Sequence, residues 1–136
     1  MKTTLLLVPA SLALLAGCSI AARSPDMYRD DTKAALEKKN GEIGLCFDQT
    51  LKMKPGVGGK LTVTFDVMTE TGKITNVKVD RAGTSVSDDI AECVTKTIEG
   101  VTLAPPDVRK GEGTWVYEFT PPSPGAAPAG VAPGKS

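Results

Sequence analysis

From Leu61 to Val67 the chain alternates strictly, with Leu61, Val63, Phe65 and Val67 set against Thr62, Thr64 and Asp66. Alternation sends the two sets to opposite faces of a β-strand, so this spacing predicts a strand buried on one side. Thr69-Glu70-Thr71-Gly72 follows as a turn, with Gly72 able to take a positive φ. Ile74, Val77 and Val79 mark a second strand, and the three-residue step from Ile74 to Val77 requires a β-bulge to keep one apolar face. Trp115, Tyr117 and Phe119 alternate again and predict a third strand over 114–119.

Elsewhere the period is helical. Leu36, Lys39, Ile43, Cys46/Phe47, Thr50 and Leu51 follow one stripe, predicting a helix from near Asp31 as N-cap to Met53, stopped by Pro55. Asn40-Gly41 lies inside it and could break it into two pieces. A later helix starts near Ser85–Ser87 and has Asp88 and Asp89 in its first turn, where the helix dipole favours acids. Val86, Ile90, Cys93, Val94, Thr97 and Ile98 share one face, and Gly100 ends it. The element order is α-β-β-α-β. Strands one and two form a hairpin, and a right-handed crossover through the second helix carries strand three to the far side of strand one. The expected fold is α+β, a three-stranded antiparallel sheet of order 2-1-3 packed against two helices.

The flanks differ in composition. Residues 1–17 have one cation, Lys2, before an apolar run from Leu5 to Ala16. A bilayer needs about 20 such residues and Pro9 interrupts these, so the segment has the form of a signal peptide. Leu15-Ala16-Gly17-Cys18 resembles a lipobox, where a bacterial lipoprotein is diacylated on cysteine and cleaved just before it. The expectation is lipidation at Cys18, a lipidated tether over 18–30, a folded domain over 31–120 and a disordered tail over 121–136. That tail holds five Pro, three Gly and four Ala in sixteen residues, a polyproline-like composition. The length of 136 residues suits one domain with such appendages.

Charge and chemistry remove function classes. Sixteen Lys and Arg balance sixteen Asp and Glu, so no basic footprint for nucleic acid is present. Histidine is absent, which removes imidazole bases, His-based triads and imidazole metal sites. Gly56-Val57-Gly58-Gly59-Lys60 precedes a strand, so it reads as a turn and not as a phosphate loop. Trp115 and Tyr117 read as core, with ligand stacking as the alternative. No catalytic residue, metal site or cofactor is expected, and the chain reads as a non-enzyme.

Cys46 and Cys93 remain as an even pair on the apolar stripes of two helices. If both helices pack on one sheet face the sulfurs meet, and a bridge closing so long a loop is worth about 4 kcal/mol. A redox pair or a thiolate metal site is the alternative, with no Cys-x-x-Cys to support it.

The segment from about Glu42 to Pro121 resembles the AgmX/PglI C-terminal domain, a relative of the TonB C-terminal domain. The matching residues are Glu42-Ile43, Cys46-Phe47, Leu51, Pro55, the run Gly59 to Val67, and Gly72-Lys73-Ile74. Val77-Lys78-Val79, Ile90, Cys93-Val94 and Tyr117-Glu118-Phe119 complete the pattern. Phe47 stands where the family usually has Tyr, and Ala104-Pro105-Pro106 where it usually has an aromatic-Pro pair. TonB-like proteins precede this domain with a membrane helix and a long Pro-rich spacer. Here a tether of about a dozen residues precedes it, spanning at most about 40 Å, and the Pro-rich segment follows it.

The expected function is therefore a lipid-anchored envelope lipoprotein acting as a protein-interaction module. It would face the periplasm, more readily from the outer than the inner membrane, with an envelope protein as partner. A small-ligand or peptidoglycan-binding envelope domain is the alternative. Thr114, Trp115, Val116, Tyr117, Glu118 and Phe119 form an edge strand, and the resemblance implies that a partner's extended segment adds there. The plainer expectation is that the tail or a second copy covers this edge.

Overall fold

The computed structural model describes residues 22–123 and 131–132. The apolar N-terminal segment, Cys18 and most of the Pro-rich tail lie outside the described residues. The elements are α1 (Pro25–Glu37), α2 (Asn40–Met53), β1 (Gly59–Val67), β2 (Ile74–Val79), α3 (Asp88–Ile98), β3 (Gly111–Phe119) and β4 (Val131–Ala132). The sheet order is β2-β1-β3-β4, so the first three strands stand in the expected order 2-1-3. Both neighbours of β1 run antiparallel to it.

The fold begins earlier than the apolar pattern indicated. The expected tether over 18–30 is helical from Pro25, and Asp31 lies inside α1. Ser24 caps that helix, its hydroxyl accepting from the Met27 N–H, and Pro25 occupies the first turn, where a missing N–H costs nothing. The break between the two helices falls at Lys38-Lys39, just before Asn40-Gly41. There the Lys39 N–H bonds the Leu36 carbonyl, a tightened last turn that closes α1.

Ile43, Cys46 and Phe47 of α2, and Ile90 and Val94 of α3, pack on one face of the sheet. A disulfide joins Cys46 to Cys93, with Cα atoms 5.8 Å apart. Leu61, Val63, Phe65 and Val67 meet the helices from β1, and Trp115, Tyr117 and Phe119 from β3. The Phe47 and Phe119 rings stand 5.2 Å apart where α2 meets the end of β3.

The expected bulge is present. Thr64 faces Lys78 and Asp66 faces Thr75, so two β2 residues, Asn76 and Val77, oppose Phe65 alone. Asn76 takes φ of 56°, and its amide donates to Asp66 at 3.1 Å. Ile74, Val77 and Val79 thereby all pack against the core. Gly72 also takes the positive φ its turn requires, 68°.

The tail departs from the disordered expectation and meets in part the plainer one, that it covers the β3 edge. Val131–Ala132 forms a short strand, pairing with Phe119 and Glu118. A two-residue ladder needs no apolar period, which is why composition alone did not reveal it.

Candidate functional site

Which backbone groups of β3 are free follows from what β1 does. The Thr62 carbonyl accepts from the Asp80 N–H, and the Thr62 N–H donates to the Thr84 hydroxyl. Lys60 likewise exchanges its N–H and C=O with Ser85. Both residues thus spend their backbone groups on the side away from β3. Thr62 faces Val116 and Lys60 faces Glu118. In an antiparallel ladder such pairs are the non-hydrogen-bonded ones, so Val116 and Glu118 aim their N–H and C=O outward. The register is unbroken from Gly59↔Phe119 to Val67↔Gly111, so Glu112 and Thr114 aim outward too. Glu118 pairs with Ala132. Among the described residues no strand pairs with Glu112, Thr114 or Val116 on that side.

The six expected edge residues therefore divide. Trp115, Tyr117 and Phe119 send buried side chains into the core and are not exposed as a stacking platform. Tyr117 is 1 % exposed; its hydroxyl has no hydrogen-bond partner, and burial pushes its pKa up. Thr114 and Val116 lie on the part of the edge that no described strand covers, while Glu118 and Phe119 face β4.

At the other end of β3 a cleft of about 530 Å³ opens against the first turns of α1. Its floor is Phe65, Val67 and Trp115. Five consecutive β3 residues, Gly111 to Trp115, line it. Residues from both faces of one strand line a single cleft only where that cleft reaches the strand's edge. Gly111 and Gly113 create the space beside the rings. A Cβ on Gly111 would sit 2.7 Å from the Tyr28 ring, and one on Gly113 would sit 2.5 Å from the Phe65 ring.

The wall is cationic, with Arg23, Arg29, Arg109 and Lys110 against a single acid, Glu112. Arg23 is 4 % exposed. Its N–H donates to Asp107 Oδ2 at 2.6 Å, its Nε to Asp31 at 2.5 Å, and its Nη2 to the Pro105 carbonyl. Its guanidinium lies 5.4 Å from the Tyr28 ring centroid. Nη1 has no partner. Two backbone N–H groups, from Arg23 and then Arg109, hold the Asp107 carboxyl below the usual carboxylate range. Burial, then the nearby Asp107 charge, raises the Tyr28 pKa.

Arg23, Tyr28, Asp107 and Arg109 gave no signal in the apolar pattern, because they join through polar contacts between distant segments. Gly111-Glu112-Gly113 did carry one, since paired glycines entering a strand mark a close approach. Among the described residues no group of three or more His, Cys, Asp or Glu side chains could hold a metal ion, and no helix is long and apolar enough to cross a membrane. Comparison of the chain with family models, with curated proteins and with solved structures finds no significant match.

Proposed function

We propose that this chain is a lipid-anchored envelope lipoprotein whose folded domain is a non-catalytic interaction module. It takes an extended segment of an envelope protein by strand addition to β3. The observation that carries this reading is the outward N–H and C=O of Glu112, Thr114 and Val116, which meet no strand among the described residues. Such a row of groups is a template for another chain, since pairing with it satisfies both partners at once. The resemblance to the AgmX/PglI and TonB C-terminal domains supports the same edge. The lipobox-like Leu15-Ala16-Gly17-Cys18 supports the anchor, which would hold the module at the periplasmic face of a membrane, the outer one in preference.

A photo-crosslinking residue placed at Val116, with a second at the exposed Leu45 of α2 as control, tests the module in intact cells. Adducts at Val116 and not at Leu45 support the edge. Val116→Pro removes an N–H that no β1 group uses, so the adduct made from Thr114 should vanish while circular dichroism stays unchanged. A Thr114 adduct that persists in this folded variant overturns strand addition. For the anchor, the membrane-fraction mass should carry a diacylglycerol on Cys18, and Cys18→Ala should release the protein. Unchanged mass and membrane retention in that variant overturn it.

A further inference from the structure

We propose that the cleft between α1 and the start of β3 selects partner segments carrying one acidic side chain, whose carboxylate docks against Arg109 and Arg23. This rests on the strand-addition reading above and adds what the incoming strand must contain. The cleft is continuous with the free edge, because Gly111 to Trp115 line it from both faces of the strand. A segment paired with Thr114 and Val116 therefore runs into it. There it meets an apolar floor and a wall of four cations against Glu112.

Most of those charges are already matched. Arg29 pairs with Asp26 at 3.0 Å, Lys110 with Asp66 at 3.1 Å, and Arg23 Nε with Asp31. Asp107 spends both oxygens on backbone N–H groups. Arg109 forms no ion pair with a carboxylate among the described residues; its Nη2 donates to the Arg23 carbonyl at 3.2 Å. Arg23 adds a second, independent observation: its side chain is 2 % exposed, and its Nη1 is buried without a partner. A buried guanidinium N–H left unpaired is costly, and an arriving carboxylate satisfies it with a charge-assisted bond. The occupant that matches apolar floor, open backbone and unspent guanidinium groups is a β-strand with alternating apolar residues and one Asp or Glu.

Selection from a displayed library of random twelve-residue peptides on the full chain, followed by anisotropy titration of the winners, tests this. The expected winners share an Asp or Glu at one position among β-branched residues. Changing that acid to its amide should weaken binding about tenfold. Arg109→Gln should cut the acid-to-amide ratio several-fold without weakening the amide peptide. Val116→Pro should abolish binding of both. Winners without an acid, or an acid preference that Arg109→Gln leaves intact, overturn the inference and leave strand addition standing if Val116→Pro still abolishes binding. Acid-dependent binding that survives Val116→Pro overturns strand addition instead. A library that yields no binder overturns both. Should Arg109→Gln lower the melting temperature, salt serves on the unaltered chain: raising NaCl from about 0.05 to 0.5 M should weaken the acid peptide more than its amide and so narrow the acid preference. A preference that salt leaves unchanged overturns the inference.

Discussion

The two edges of the sheet are treated in opposite ways. At β2 the chain folds back on itself: the Ile74 N–H donates to the Val101 carbonyl, and the Ile74 carbonyl accepts from Gly100. The Val77 N–H donates to the Glu99 carboxylate at 3.2 Å, and Lys73 pairs with Thr102 beyond the strand's end. At β3, β4 pairs with Glu118 and Phe119 and leaves Glu112, Thr114 and Val116 with outward groups. The segment that closes the β2 edge follows directly from α3, so closing it needs only a short loop. Among the described residues the strand beside β3 on its outer side is β4, which the chain reaches only after Pro121 and Pro122. One edge is thus closed by connectivity, and the other keeps outward groups that no described strand meets.

Four measurements break or sharpen this contrast. The largest effect should come from replacing Cys46 and Cys93 with Ala, since the bridge ties α3, and with it the loop over β2, to α2. Urea unfolding should show a loss of about 4 kcal/mol, the chain-entropy value for a loop of this length. Amides near Ile74 should also exchange faster in that variant.

Gly72→Ala should come next. A Cβ there would lie 2.1 Å from the Leu103 carbonyl, at φ of 68°. The clash separates the two backbones where the β2 edge is sealed, and the expected cost is about 3 kcal/mol by thermal or chemical unfolding.

Proline at the other edge should be mild. Val116→Pro is expected to cost less than about 1 kcal/mol, because the lost N–H has no strand partner among the described residues. Hydrogen exchange on the unaltered chain makes the same comparison directly. The Ile74 amide should be strongly protected, while those of Thr114 and Val116 should exchange fast within the same sheet.

The smallest effect is one of pH at the cleft. The Asp107 carboxyl is held below its ordinary value in the folded chain, so its contribution is complete above about pH 4 and is lost as the pH falls through the folded value. Melting temperatures measured from neutral pH downward should fall less steeply for Asp107→Asn than for the unaltered chain. Hydrogen exchange in the first turn of α1 should rise in that variant even at neutral pH.

Much of this was legible before any coordinates. Strand β1 was plain because a strand with one face under helices must alternate, and Leu61 to Val67 does so without exception. The bulge in β2 was legible for a related reason: three apolar residues at the wrong spacing need an extra residue to face the same way. The cysteine pairing followed from two apolar helical stripes meeting on one sheet face. Less legible was the start of the domain, because Arg23 and Tyr28 are held by Asp31, Asp107 and the Arg109 carbonyl and not by an apolar period. Strand β4 was illegible because two residues of ladder carry no pattern at all.

Sequence by itself determined which residues are apolar and with what period, and so the three long strands and their order, the helix faces and the bridge. These are local or nearly local consequences of a repeat matched to an element. Tertiary structure alone decided which hydrogen-bonding groups remain unspent. The outward groups of Thr114 and Val116 follow from where Thr62 and Lys60 send theirs, which depends on Asp80, Thr84 and Ser85. The unpartnered Nη1 of Arg23 depends on Asp31, Pro105 and Asp107, which lie 8, 82 and 84 residues away. Periodicity records what a chain must bury, whereas an unsatisfied group is a remainder left after every distant pairing has been made.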